Sequence, residues 1–263
     1  HTFIFRKLTG MKTAQPLFFR KKILFIVALA LSAQLGAAQP ADLAILPQPK
    51  EFSLGGPAFT INDRVTIVAG SAAEDQFAAQ DLAEFMLREL GVEAVVGARS
   101  EGVSIILRRT GKDKKTLGGE GYRISVSAKE FEITAPAAAG LFYGVQTAKQ
   151  LFRKNGAKVS VSGLEIRDWP DTKQRAAHYD TKHHQDTKEY VKHFIRELAC
   201  YKMNMLIWEW EDKFEYPSHP EIGAPGAFTM AEMQELTRYA RRYHVQIVPL
   251  VQGLGHVSFI LKW

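Results

Sequence analysis

The sequence predicts an α/β protein: a small α+β domain over residues 41–167, followed over 168–263 by the first three strand–helix units of an incomplete barrel. Three observations predict it. Between Leu43 and Arg167 period-two strands mix with two helices; after Asp168 the rhythm becomes strand, helix, strand, helix, strand; and a basic, apolar N-terminus stands apart from both.

The N-terminus is treated first because it distorts every whole-chain number. Met11-Lys-Thr-Ala-Gln-Pro-Leu-Phe-Phe-Arg-Lys-Lys, then Ile23-Leu-Phe-Ile-Val-Ala-Leu-Ala-Leu, then Gly36-Ala37-Ala38 are the basic, apolar and small-residue parts of a secretory signal peptide. The apolar run is about half of the roughly 20 residues a bilayer span needs, so no stable membrane anchor is expected after cleavage. Residues 1–38 are therefore set aside as upstream residues and signal, Met11 reads as the true start, and the protein is expected to be exported, periplasmic or extracellular.

Removing this segment changes the charge argument. The formal net charge is +6, but Arg6, Lys7, Lys12, Arg20, Lys21 and Lys22 all lie in residues 1–38, which hold no acidic residue. The remainder is neutral, with no basic stripe for nucleic acid. The single cysteine, Cys200, excludes an intrachain disulfide. Among Leu198, Ala199 and Tyr201 it reads as a small buried hydrophobe.

In the first domain Val65-Thr-Ile-Val alternates as a strand, and Phe77, Leu82, Phe85, Met86 and Leu90 recur at helical spacing from Ala72 until Gly91 stops the run. Val103-Ser-Ile-Ile-Leu is a strand. Tyr122-Arg-Ile-Ser-Val-Ser and Glu130-Phe-Glu-Ile-Thr read as an antiparallel hairpin. A second helix over 137–152 puts Leu141, Val145, Ala148 and Leu151 on one face, with Lys154-Asn-Gly as its stop. The expected layer is a sheet with one solvated face and helices on the other.

In the second, Arg175-Ala-Ala-His-Tyr is a short strand, and Asp186 with Glu189 suggests a capping box for a helix carrying Tyr190, Phe194, Ile195 and Leu198. Met205-Leu-Ile-Trp is the second strand; Thr229 with Glu232 caps a helix to about Tyr243; Val245-Gln-Ile-Val-Pro-Leu-Val is the third. Such repeats indicate parallel βαβ units. Three strands do not close a (β/α)8 TIM barrel, which takes eight strands and about 250 residues. The chain is expected to end inside its barrel, unless the strands form a small open sheet.

In such barrels chemistry sits at the carboxyl ends of the strands. Those ends give Asp180, then Glu209, Glu211 and Asp212, then Gln252 and His256, as candidate substrate-binding residues. Trp208, Trp210, Phe214 and Tyr216 interleave with the carboxylates. Aromatic faces beside acids and amides suit a pyranose, whose C–H faces pack on rings while its hydroxyls take hydrogen bonds; rim packing is the alternative for these rings. Arg175 could pair with Asp171 or Asp180. His178, His183, His184 and His193 lack HExxH or paired Cys/His spacing, so no metal site is expected. Phosphate-cradling glycine loops and GxSxG are absent, and no cofactor is expected.

The run Glu120-Gly-Tyr-Arg-Ile-Ser-Val-Ser-Ala-Lys-Glu-Phe-Glu-Ile-Thr-Ala, with Gly140-Leu-Phe-Tyr-Gly-Val-Gln-Thr, resembles the small domain that precedes the barrel in glycoside hydrolase family 20, the β-N-acetylhexosaminidases. Lys202-Met-Asn-Met-Leu-Ile-Trp-Glu-Trp-Glu-Asp-Lys-Phe-Glu-Tyr and Pro249-Leu-Val-Gln-Gly-Leu-Gly-His-Val resemble its hexosaminidase D branch. The resemblance implies that Arg175 grips hydroxyls of the terminal sugar, that Asp180 closes the first strand and that His256 belongs to the Gly-His pair after the third. The sequence departs from the common form at His183, where arginine is usual, at Glu209, where histidine is, and at Leu250 and Gln252, which replace an acidic pair.

It further implies substrate-assisted, retaining removal of terminal N-acetyl-β-hexosamine from glycans, with an Asp-Glu pair on the fourth strand as orienting group and acid. No Asp-Glu dipeptide follows Trp169, so the catalytic residues are expected beyond Trp263 and the chain as given to be inactive. Two other readings stay open: another barrel glycosidase, such as an α-glucuronidase or an O-GlcNAcase-like enzyme, and a non-catalytic glycan-binding protein.

Overall fold

Strand and helix formation follow the apolar spacing closely in the computed structural model of the protein, which describes residues 43–99, 102–182 and 184–261, the side chain of Ile260 aside. The expected signal over 1–38, and His183, lie outside the described residues. The chain divides into two units, residues 1–43 and 44–263, and every element below belongs to the second.

Among the described residues, ten strands and three α-helices precede Trp169: β1 (Glu51–Leu54), β2 (Phe59–Ile61), β3 (Arg64–Ala69), α1 (Ala73–Phe85), β4 (Glu93–Gly97), β5 (Ser104–Arg109), α2 (Lys114–Leu117), β6 (Tyr122–Val126), β7 (Glu130–Ala135), α3 (Ala138–Leu151), β8 (Arg153–Asn155), β9 (Lys158–Val161) and β10 (Leu164–Asp168). Seven strands form one sheet in the order β1-β10-β6-β7-β5-β3-β4. It is antiparallel from β1 to β7 and parallel from β7 to β4. The expected hairpin is present, with Ile124 opposite Ile133. Tyr122, Ile124, Val126, Phe131, Ile133 and Ala135 are buried, while the alternate residues from Arg123 to Ser125 and Glu132 to Thr134 are more open. That alternation leaves one face to water.

The ends of the first and third helices differ from the sequence reading. The first helix ends as a π-helical turn over Met86–Leu90 before Gly91, whose φ of 69° makes the left-handed stop. Lys154-Asn-Gly does not end α3; it turns the β8–β9 hairpin, with Gly156 at φ 61°. β2, β9 and β8 make a separate three-stranded sheet.

α3 is buried on all sides from Gly140 to Ala148 rather than along one stripe. Two layers explain this. The first sheet covers one side, and elements of the following units cover the other, with Phe142 ring-to-ring at 6.0 Å from Tyr243 and 5.3 Å from His244. Each fully buried Phe or Leu here is worth roughly 1.5–3 kcal/mol. Gly140 and Gly144 let the helix lie close: a Cβ on Gly140 would meet the Gly121 carbonyl oxygen at 2.2 Å, and one on Gly144 would meet Ile133 at 2.4 Å.

After Trp169 come β11 (Ala176–Tyr179), α4 (Lys188–Cys200), β12 (Met205–Glu209), α5 (Met230–Arg242), β13 (Gln246–Leu250) and α6 (Ser258–Leu261). β11, β12 and β13 lie side by side and parallel, with Tyr179 beside Trp208 and Trp208 beside Pro249. Thr229 and Glu232 form the expected capping box. The other cap is corrected: Thr187 accepts from the Tyr190 N–H, because the Asp186 carboxylate is occupied by Tyr179 Oη and faces His184 at 3.2 Å. Cys200 is half-buried rather than buried. Among the described residues no helix is long and apolar enough to cross a membrane.

Candidate sugar site at the strand ends

In a parallel sheet, residues in register share a face, and the two faces here differ. Tyr179, Leu206 and Trp208 are buried towards the helices, where Tyr179 meets Phe194 at 5.1 Å and Trp208 meets Phe228 at 5.5 Å. His178, Ile207 and Val248 share the opposite face, as do Glu209 and Leu250. That face is the more open one: the His178 side chain is 53% exposed.

At the carboxyl end of this face the structure brings Asp180, Glu209 and Glu211 around Lys182. Lys182 Nζ lies 2.7 Å from Glu209 Oε2 and 3.5 Å from Asp180 Oδ2, while the Lys182 backbone N–H donates to Asp180 Oδ1 at 3.0 Å. The other Glu209 oxygen faces His178 Nε2 at 2.8 Å. Thr181 Oγ1 donates to the Glu209 carbonyl at 2.9 Å and accepts from Trp208 Nε1 at 3.3 Å, fixing the turn that presents Lys182. Glu209 is 3% exposed, and its charge is met by a cation on one side and an imidazole on the other.

The electrostatics follow. The backbone N–H of Lys182 holds the Asp180 carboxyl below its usual range. The hydrogen bond to Glu209 pushes the Lys182 ammonium up. Burial pushes the Glu211 carboxyl up, Lys182 opposes, and Glu209, Asp212 and Asp180 add to the rise. Glu211 stands at φ 38°, an uncommon backbone for a residue with a Cβ, which costs on the order of 1–3 kcal/mol. Among the described residues its buried Oε1 has no hydrogen-bond partner, nor do Trp210 Nε1 and Tyr216 Oη in the same loop. A buried polar atom left unpaired costs about 1–3 kcal/mol, so Glu211 joins backbone strain to an unmet acceptor at the carboxyl end of β12.

The remaining expected site residues fall differently. Asp212 pairs with Lys213 at 2.9 Å. Gln252 is half-buried and His256 exposed on the segment after β13, and no hydrogen bond or ion pair joins either to the cluster among the described residues. Arg175 lies at the other end of the sheet. Its guanidinium donates to the Lys202 carbonyl at 2.7 Å, to Glu120 Oε2 at 2.9 Å and to the Thr172 carbonyl at 2.8 Å. β11 separates it from Asp180 by about 15 Å of strand, so it cannot share a sugar with that rim. Trp208 and Phe214 are buried packing residues. Trp210 packs tilted against Phe214 at 4.8 Å beside Met230 and Met233, on the helix side. Rim packing, the alternative left open above, describes these rings.

Sequence reasoning missed Lys182, Thr181 and the role of His178. The i, i+2 spacing of His178 and Asp180 was available as a signal, since it puts both on one strand face. Nothing in the sequence reveals that the Lys182 side chain folds back over the strand end. Among the described residues no group of three or more His, Cys, Asp or Glu could hold a metal ion.

With this geometry in place, the comparisons are direct. Residues 42–169 match glycosyl hydrolase family 20, domain 2, and residues 173–263 match the glycosyl hydrolase family 20 catalytic domain. The chain is 27% identical to a beta-N-acetylhexosaminidase of Cellulomonas fimi, over 82% of this chain and 47% of that protein. Its fold is similar to the family 20 beta-N-acetylhexosaminidase of Streptomyces coelicolor (TM-score 0.74, 28% identity, 85% of this chain and 49% of that one). It is similar also to a mutant Streptomyces plicatus beta-hexosaminidase in complex with its product GlcNAc (TM-score 0.75, 29% identity, with the same coverage). The chain thus spans about half of these proteins' length, and its α+β layer and three parallel strands correspond to a small domain and an incomplete TIM barrel. With both of its halves matched, the chain belongs to glycosyl hydrolase family 20.

Proposed function

We propose that the protein is a β-N-acetylhexosaminidase that removes terminal N-acetyl-β-hexosamine residues from glycans, and that residues 173–263 supply one wall of its sugar site. The observation that carries this reading is the Asp180–Lys182–Glu209–Glu211 cluster at the carboxyl ends of the parallel strands, where a barrel enzyme places its substrate. Carboxylates accept from sugar hydroxyls, and an ammonium donates to them. The mechanism that fits the family is substrate-assisted: the sugar's acetamido oxygen attacks the anomeric carbon and configuration is retained, with no enzyme nucleophile. The acid and the carboxylate that orients the acetamido group are assigned to barrel strands outside residues 1–263.

The same reading places the domain boundary at residues 167/168, exports the protein through the basic and apolar segment after Met11, and assigns it to the hexosaminidase D branch on the strength of the Lys202–Tyr216 run. The test is hydrolysis by the full-length gene product. Nitrophenol should be released from the N-acetyl-β-glucosaminide and not from the plain β-glucoside, which lacks the acetamido group. Equal rates on the two would end the substrate-assisted reading.

A further inference from the structure

We propose that Lys182 is a specificity-determining residue of this site: its ammonium, anchored by Glu209, and the Asp180 carboxylate beside it together grip one ring hydroxyl of the terminal sugar. The inference rests on the hexosaminidase reading and deepens it.

The geometry makes Lys182 responsible for both halves of the grip. Its backbone N–H holds Asp180 Oδ1 at 3.0 Å, which turns Oδ2 towards its own side chain. The ammonium is drawn to Glu209 at 2.7 Å and stops 3.5 Å short of Asp180 Oδ2. That gap is long for a direct charged hydrogen bond, which runs about 2.7–2.9 Å. It suits a hydroxyl standing against both groups, accepting from the ammonium and donating to the carboxylate, since a single hydroxyl oxygen does both.

Exposure agrees. Glu209 is 3% exposed and acts as the anchor, Lys182 is 20% exposed, and Asp180 is 51% exposed and faces the open side. The competing account is that Lys182 only neutralises the buried Glu209. Neutralisation needs one cation within reach of Glu209. The turn in which the Lys182 N–H meets Asp180 Oδ1 is a common local motif, and what neutralisation leaves unaccounted for is the exposed Asp180 Oδ2 standing 3.5 Å from the same ammonium.

The experiment measures kcat and KM of the full-length enzyme on nitrophenyl N-acetyl-β-glucosaminide and on its 3-, 4- and 6-deoxy analogues. Wild type is compared with Lys182→Met, Lys182→Gln and Asp180→Asn. On the parent substrate, Lys182→Met should lower kcat/KM about 10- to 100-fold, the loss of one charged hydrogen bond. On one deoxy analogue, the same one for Lys182→Met and Asp180→Asn, variant and wild type should coincide, because the hydroxyl being read is already gone. If Lys182→Met does not fold, Lys182→Gln, which keeps a donor near Glu209, is read by the same criterion. Unchanged kcat/KM on the parent, or an equal loss on every analogue, overturns the proposal and leaves Lys182 a structural counter-charge. A wild-type enzyme that hydrolyses none of these substrates refutes the hexosaminidase reading instead.

Discussion

Arg175 Nη1 donates to Glu120 Oε2 at 2.9 Å, and Asn204 Nδ2 donates to the other oxygen of the same carboxylate at 3.0 Å. One acid just before β6 therefore receives the starts of both β11 and β12. Beside it, Lys202 Nζ reaches Asp168 Oδ2 at 2.9 Å and Tyr122 Oη at 2.6 Å. The junction between the mixed sheet and the parallel strands thus joins a charged clamp to the aromatic packing of Phe142 on Tyr243 and His244.

Arg175→Ala should accordingly act on stability. The variant loses three hydrogen bonds and leaves the half-buried Glu120 with Asn204 but no cation, at a cost of about 2–4 kcal/mol. Denaturant unfolding should show it, with KM for the sugar little changed in the protein that remains folded. A rise in KM with intact stability would return Arg175 to the sugar site, where the family resemblance had put it.

That reversal shows what the sequence could and could not carry. Periodicity located α1, α3, α4, α5, the hairpin and all three parallel strands, because their apolar residues recur at helical or strand spacing, even where, as in α3, burial extends all round. It passed over β2, β4, β8 and β9, whose three to five residues are too few to display a period and whose pairing is set by distant partners. At the site, strand ends gave Asp180, Glu209 and Glu211 because position along a barrel strand is a backbone property. The positions of the Arg175 and Lys182 side chains were not legible, because the direction in which a long side chain folds is decided by its tertiary partners: Glu120 for one, Glu209 for the other.

Gly140→Ala and Gly144→Ala test the close seat of α3. A methyl at Gly140 would collide with backbone, the Gly121 carbonyl, which cannot step aside as a side chain can. At Gly144 the obstacle is the Ile133 side chain. Both should destabilise by about 1–3 kcal/mol as overpacking, Gly140→Ala the more. Thermal melts that place the order the other way would mean the helix can slide on its sheet.

His244 gives the junction an acid-sensitive point. Burial against the rings of Phe142 and Tyr143 pushes its imidazole below the ordinary 6.5, with Glu74 and Glu120 opposing. The unfolded chain takes up the proton near 6.5 while the folded protein resists until lower pH, so this contribution is whole above 6.5 and is lost on acidification below it. His244→Asn tolerates the φ of 57° and removes the titration. Its unfolding free energy should fall less than that of wild type between pH 7 and pH 5; parallel curves would discard the assignment.

Glu211 carries the opposite sign. Burial raises its carboxyl above 4.5, so the folded state keeps the proton to a higher pH than the unfolded chain does. Between the two values, rising pH favours unfolding, and above the folded value the full penalty of an ionised buried group is in place. Glu211→Gln should then be more stable than wild type at pH 7, by roughly 0.5–2 kcal/mol as for other relieved site strain, with the gain vanishing below pH 4.5. The same change should lower kcat/KM on the N-acetylglucosaminide, since an amide cannot offer a sugar hydroxyl two acceptor oxygens. A variant more stable yet fully active would show that the buried carboxylate of Glu211 serves something other than substrate; one neither more stable nor impaired would leave its side chain outside the site altogether.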